Sequence, residues 1–269
     1  MKIVFSQKSL EYRNTLGNPQ RLIQAHNFLR QHYKFISPKQ HLQQPTVHSK
    51  ELIEKVKTNT YSDPDVPNRK QAFEYAMLSI NGAIKAQEQQ AFALIDPPGH
   101  HASKNKLGGF CYFNNICQAI EQSKLKTLIL DIDGHHGNGT EEIVRRNKEI
   151  FYISLHKSPC YPGTGYESYD NILNIPLQRC GEEIYLSALS KAIRQIPKPF
   201  NFQQIAISAG FDTYQSDLAS LGLEKSSYGK IAKIIKNLQE KNNSRIFAVW
   251  EGGYSQNIGE LIHEFVEEL

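Results

Sequence analysis

The chain has 269 residues, 39% of them hydrophobic and 22% charged, with a net charge of +4. That suits one sizeable soluble α/β core, and lysine and arginine are scattered along it, which removes the compositional basis for binding nucleic acid. No apolar run approaches the roughly 20 residues that cross a bilayer, and the strand-like start at residues 1–6 is too short for a signal peptide, so a cytoplasmic protein with no membrane partner is expected.

Taken in order, strand-like runs at residues 2–6, 91–95, 127–132, 150–154, 204–208 and 245–250 alternate with amphipathic segments at 19–31, 49–58, 69–89, 113–122, 141–146, 182–195, 226–240 and 256–268. The alternation predicts an α/β fold: a central, mainly parallel sheet with helices on both faces. No linker, low-complexity stretch or internal repeat divides the chain, so residues 1–269 read as a single domain. The four cysteines (Cys111, Cys117, Cys160, Cys180) form no Cys-x-x-Cys pair. They read as reduced thiols, not as a disulfide frame or a thiolate metal site.

Ligands of open α/β sheets bind at the carboxyl ends of the strands, and four strand-end loops here carry unusual chemistry. After the run at 91–95 come Asp96, Pro97, Pro98, Gly99, His100 and His101. Adjacent histidines serve as metal ligands or as a proton-handling pair, or simply as solvated residues of a surface turn. After 127–132 the chain runs Asp131-Ile-Asp133-Gly-His135-His136-Gly137-Asn138-Gly139-Thr140. Alternation along an extended chain sets Asp131, Asp133 and His135 on one side, and burying that much charge calls for a cation. Asp with His is a ligand set that suits zinc; the plainer alternative is a charged surface turn. After 204–208 comes Ala209-Gly210-Phe211-Asp212, whose acid reads as a helix N-cap or as a third ligand. After 245–250 comes Glu251-Gly252-Gly253-Tyr254, whose glycines permit close backbone approach and whose tyrosine can project a hydroxyl. Two further loops, Gly108-Gly109-Phe110-Cys111-Tyr112-Phe113 and the stretch from Ser154 through Tyr161 to Gly165, set aromatics beside glycines, as a slot lining would.

In this order the motifs Pro97–Ala102, Gly109–Asn115, Asp131–Thr140, Tyr161–Gly165, Ala209–Asp212 and Glu251–Tyr254 resemble the zinc-dependent histone deacetylase family, of the arginase/deacetylase fold. The Glu-Gly-Gly-Tyr run and Asn138 are similar to its class II branch and bacterial relatives, including acetylpolyamine amidohydrolases. The resemblance implies a three-layer fold and one catalytic Zn2+ (or Fe2+ in its place) on Asp133, His135 and Asp212. It implies His101 as general base and then acid, oriented by Asn138, and His100 as an electrostatic partner oriented by Asp131. It implies Tyr254 as the hydroxyl that polarises the acyl carbonyl, and a tunnel walled by Gly109, Phe110 and Tyr161. A structural K+ is implied at the backbone oxygens of Asp131, Asp133 and His135, with Ser154 and Leu155. The implied partners are acetylated lysine in protein or peptide, or an acetylated polyamine. Three protein ligands leave an open position for water and substrate, as catalytic zinc requires.

The chain departs from the family in three places. Asp96 stands where an arginine often precedes Pro-Pro-Gly-His-His. The proline of an Asp-Pro-Leu stretch is missing at Asp217-Leu218-Ala219. An N-terminal His-Pro-Glu-x-Pro-x-Arg pattern survives only as Pro19-Gln20-Arg21. Asp63 and Asp65 stand as candidate rim residues or as a solvated turn. Against the amidohydrolase stand a two-manganese ureohydrolase, which needs more Asp and His ligands, and a non-catalytic binder of acylated lysine. The oligomeric state is left open.

Overall fold

The structure, a computed structural model, describes residues 1–13, 20–39, 42–66 and 68–269; Pro19, from the degenerate N-terminal pattern, lies outside them. Among the described residues, eight strands form one sheet: β1 (Ile3–Val4), β2 (Phe35–Ile36), β3 (Phe92–Ala93), β4 (Thr127–Asp131), β5 (Ile150–Lys157), β6 (Ile172–Leu177), β7 (Gln204–Ala209) and β8 (Arg245–Trp250). Their order is β2-β1-β3-β8-β7-β4-β5-β6. Every pairing is parallel.

The central strands are apolar on both faces because helices cover both. Leu128, Leu130, Ile205, Ile207, Ile246 and Trp250 point into one layer with α1 (Arg21–Leu29), α6 (Gly181–Arg194), α7 (Lys225–Asn242) and α8 (Ile258–Glu268). Ile129, Ala206, Phe247 and Val249, one residue out of phase, point into the other, with α2 (Lys50–Thr58), α3 (Ala72–Gln89), α4 (Asn115–Ser123) and α5 (Asn138–Val144). The period of two divides each strand between the layers. Burying a Leu, Ile or Phe in either layer contributes roughly 1.5–3 kcal/mol. Among the described residues, no helix is long and apolar enough to cross a membrane.

Among the described residues, all eight α-helices overlap the segments that the pattern predicts. The strands differ at the sheet's edges. β2 is two residues long and too short to show a period, and β6 carries Pro176. A proline argues against a strand but is tolerated at an edge, where its missing N–H faces away from the neighbour. The runs predicted at 2–6 and 91–95 pair over two residues each.

The topology makes β3, β8, β7 and β4 consecutive neighbours. The four loops that sequence order scatters between residues 96 and 254 therefore leave adjacent strands at one end of the sheet. His48, just before α2, braces two of the flanking segments. Its Nδ1 donates to Ser103 O and its Nε2 accepts from Asn114 N, both at 2.8 Å. Asn114 in turn caps α4 by accepting from Cys117 N. Burial pushes His48 down from 6.5 to about 4 against its backbone hydrogen bonds, and burial and the neighbouring His136 lower His156 similarly. The unfolded chain therefore takes up protons at both sites at higher pH than the folded chain. Stability is fully present above pH 6.5 and is lost as the pH falls towards 4. Between pH 7.5 and 4.5 each site should cost about 2 to 3 kcal/mol. Urea midpoints at the two pH values should differ less in His48→Gln than in the parent; an equal difference would exclude His48 as a source of acid sensitivity.

Candidate active site

Asp133 and His135 follow β4, and Asp212 follows β7. One ligand atom from each lies within 4.8 Å of the others. Asp133 and Asp212 are fully buried. Their oxygens are held by backbone N–H groups: Gly252 N donates to Asp133 Oδ2 at 2.7 Å, His135 N to Asp133 Oδ1 at 2.8 Å, and Gly134 N to Asp212 Oδ1 at 2.6 Å. Asp212 Oδ2 accepts no hydrogen bond, although His135 Nδ1 lies 2.6 Å away. We read that approach as two lone-pair donors converging without the angle of a hydrogen bond. A buried orphaned carboxylate oxygen beside an imidazole fits a cation.

The electrostatics agree. Burial and the neighbouring Asp133 push Asp212 up, while His100 and His135 hold Asp133 down despite its burial. Two buried carboxylates this close repel one another, and a bound dication would relieve that repulsion. Space is equally tight: a Cβ on Gly252 would sit 2.5 Å from Asp133 Oδ2 and 2.7 Å from Asp212 Oδ2. Only glycine lets the β8 loop close over the pair.

Asp131 does not join this group, because β4 ends there and the chain bends. Its Oδ1 accepts from Asp133 N at 3.2 Å. Its Oδ2 accepts from Tyr152 Oη at 2.9 Å and lies 3.2 Å from His100 Nδ1. Burial would lower His100, but Asp133, Asp131 and Glu251 lift it to about 10. His101 is the opposite case. Burial, then the charges of His100 and His135, push it well below its ordinary value. Its Nδ1 lies 2.7 Å from Asn138 Oδ1; an amide oxygen only accepts, so Nδ1 carries the proton and Nε2 keeps its lone pair. The two rings lie 4.0 Å apart.

His100, His101, Asp133 and His135 line a cavity of about 190 Å³ with Gly109, Phe110, Tyr161, Leu218 and Tyr254. Gly109 and Phe110 both have positive φ, 52° and 69°, a conformation rare for a bulky residue. This turn sets the Phe110 ring edge-on to Tyr254 at 5.8 Å. Tyr161 stands 5.1 Å from His101. Burial and the nearby acids Asp212, Asp133 and Asp96 outweigh Arg21 and push the Tyr254 phenol well above its usual range, so it keeps its proton and can donate. Asp65 also lines the cavity, and Asp63 Oδ1 accepts its backbone N–H. A larger groove of about 550 Å³ lies at the amino ends of β4 and β5, beside Lys126, Phe151 and Phe200, away from the metal-ligand group.

Ser154 pairs in register with Asp131, and Leu155 follows it on β5. Asp131 and Ser154, two of the residues named for the second cation, therefore lie side by side at the carboxyl end of β4.

Sequence reasoning missed several supports. Arg21, fully buried, forms a two-pronged pair with Asp96, Nε to Oδ2 at 3.0 Å and Nη2 to Oδ1 at 2.9 Å. Its Nη1 donates to Glu251 O at 2.7 Å, and its Cζ lies 4.9 Å from the Tyr254 ring centre. The Glu251 carboxylate accepts from Gly99 N at 2.7 Å and His100 N at 3.1 Å. Burial lifts it to about 7 against His100 and the Gly99 N–H. The sequence signals were Asp96 itself, a departure that needed a partner, and the surviving Arg21.

The sequence profile described as Histone deacetylase domain matches residues 6–269. A probable deacetylase of Archaeoglobus fulgidus is 34% identical over 94% of this chain and 81% of its own length. The histone deacetylase-like amidohydrolase of Pseudomonas aeruginosa is 33% identical over 71% of this chain and 57% of its own length. Among solved structures, the HDA15 HD domain matches with a TM-score of 0.88 at 25% identity, covering 99% of this chain and 90% of that one. Acetylpolyamine aminohydrolase from Burkholderia pseudomallei shares the fold, with a TM-score of 0.82 at 22% identity over 100% of this chain and 98% of its own.

Proposed function

The chain belongs to the histone deacetylase family, and from that premise we propose a zinc-dependent amidohydrolase that removes acetyl, or another short acyl group, from acylated amines such as acetyl-lysine. The observation that carries this reading is the meeting, at one narrow cavity, of the Asp133–His135–Asp212 group, a histidine whose Nδ1 is held by Asn138, and Tyr254.

Asp133, His135 and Asp212 would hold the ion, with zinc favoured over ferrous iron by its suitability for mixed imidazole and carboxylate ligands. When bound, it supplies Lewis acidity for the amide carbonyl and acidifies water towards neutral pH. His101 Nε2 takes the proton of the attacking water, with Nδ1–H anchored on Asn138. It then returns that proton to the departing amine nitrogen. Tyr254 donates its hydroxyl to the carbonyl oxygen as negative charge develops there. His100, beside Asp131, sets the field around both. Gly109, Phe110 and Tyr161 exclude water around the acyl-bearing chain. A potassium ion at Asp131, Asp133, His135, Ser154 and Leu155 belongs to the same proposal. So does a cytoplasmic setting, supported by four free cysteines.

Tyr161 and Leu218 are 43% and 56% exposed at the mouth, which leaves apolar rim surface facing solvent for a peptide to lie against. Asp65 on the cavity favours a second reading, an acetylated polyamine whose free ammonium meets the carboxylate. Acetate release from acetyl-lysine peptides and acetylputrescine, assayed side by side with zinc-loaded protein, decides between them. Turnover of the peptide is expected. Turnover of acetylputrescine alone would favour the polyamine, and no release from either with zinc bound would overturn the deacetylase reading.

A further inference from the structure

The turn that presents Tyr254 begins with a glycine pair, Gly252 and Gly253, the second at φ 115°. Glycine gives the backbone freedom at the point where the tyrosine must be fixed. The amino half of the turn is well held. Gly252 N donates to Asp133, Gly252 O accepts from Trp250 Nε1 at 2.9 Å, and Arg21 reaches Glu251 O. Beyond the glycines, the Asp217 carboxylate takes over. Asp217 Oδ2 accepts from Tyr254 N and from Ser255 N, each at 2.7 Å. Its other oxygen, Oδ1, accepts from Leu218 N at 2.8 Å, and Leu218 is the exposed rim residue of the cavity.

We propose that Asp217 is a positioning residue for Tyr254: its carboxylate clamps the turn downstream of the glycine pair and ties it to the tunnel rim at Leu218. The proposal rests on the amidohydrolase reading above, since it assigns Asp217 an effect exerted through the tyrosine hydroxyl. Hydrogen bonds to an ionised acceptor are about twice as strong as neutral ones. Losing both would let the hydroxyl drift, and a misplacement of about 1 Å can cost roughly a hundredfold in rate. The missing proline beside Asp217 is consistent with this arrangement, because a proline at position 218 would have no N–H to give to Oδ1.

The test is a double-mutant cycle with a spectroscopic companion. Turnover and zinc content are measured for the parent, Asp217→Ala, Asp217→Asn, Tyr254→Phe and the Asp217→Ala/Tyr254→Phe pair. Asp217→Ala should lower kcat roughly ten- to a hundredfold with KM little changed. Asp217→Asn should stay within about threefold, because its amide oxygen still accepts both turn N–H groups and only the Leu218 tie, which its NH2 cannot make, is lost. In the Tyr254→Phe background, Asp217→Ala should cost less than about twofold, since residues acting through one group are not additive. Equal loss in both backgrounds, or loss of zinc, would overturn the proposal. Should Asp217→Ala fail to fold, Asp217→Ser replaces it in the cycle, its hydroxyl being too short to span both donors. Fluorotyrosine placed at 254 supplies a readout independent of turnover. Its fluorine resonance should shift or broaden in the Asp217→Ala or Asp217→Ser protein and stay put in Asp217→Asn. An unmoved resonance also overturns the clamp. Absence of turnover in the parent strikes the amidohydrolase reading alone.

Discussion

Tyr254→Phe should lower kcat roughly 10²- to 10³-fold while leaving the protein folded and its metal bound, the loss expected when one preorganised donor to a developing oxyanion is removed. The substitution isolates the hydroxyl. The ring stays, and with it the edge-on packing against Phe110 at 5.8 Å and the guanidinium of Arg21 at 4.9 Å. The metal should stay as well, because Asp133, His135 and Asp212 form their group without the tyrosine. Substrate binding should change little: a ground-state carbonyl gains less from the donor than the oxyanion does, so the effect falls on kcat and not on KM. The high pKa direction of Tyr254 adds a further expectation. Burial and the nearby acids disfavour the phenolate, so the parent's rate should not decline at moderately alkaline pH on its account. Steady-state kinetics with zinc analysis of the same samples checks all of this. Full activity in Tyr254→Phe would remove the hydroxyl from the reaction, and loss of zinc would reassign it to metal binding.

The central layers and the site-bearing loops were legible in the sequence because each is a local pattern. The strands β4, β7 and β8 are continuous apolar runs, and Asp133 and His135 lie two residues apart at the end of one of them. What pairs with what across the sheet was not legible. Asp96 looked like an unexplained anion near the catalytic shell, in place of an arginine. Its partner Arg21 is 75 residues away, and the same guanidinium reaches Glu251 O, 230 residues on. No periodicity encodes such a pair. A buried charge without its partner would cost several kcal/mol, so Asp96, buried in the structure, needs a cation, and nothing in the local sequence says which. Asp217 was hidden for a related reason. Its role lies in accepting backbone N–H groups, and backbone donors leave no mark on side-chain identity. The edge strands were lost to their shortness and to Pro176, whereas the helices, eight amphipathic segments, were read from their period.

Asp212→Ala should abolish metal binding, and the comparison with Asp212→Asn shows why that loss is specific. Asp212 carries two separable tasks on its two oxygens. Oδ1 accepts the Gly134 N–H at 2.6 Å and so shapes the turn that presents His135. Oδ2 has no hydrogen bond and lies with His135 and Asp133 in the ligand group. Alanine removes both functions and leaves the buried Gly134 N–H unsatisfied, at a cost of roughly 1–3 kcal/mol. Asparagine can keep the Gly134 bond through its amide oxygen while turning an NH2 towards the ion's position, where a donor repels a cation. It also removes a buried negative charge beside Asp133, which burial already disfavours. Without metal, Asp212→Asn should therefore be at least as stable as the parent, and Asp212→Ala less stable. Adding zinc at a free concentration a thousandfold above Kd should stabilise the parent by about 4 kcal/mol, read as a higher Tm, and should raise neither variant's Tm. Turnover should fall to background in both. Melting curves with and without zinc, paired with metal stoichiometry, separate the two tasks. A zinc-dependent rise in Tm that survives in Asp212→Asn would take Asp212 off the ligand set and leave it only the shaping of the His135 turn.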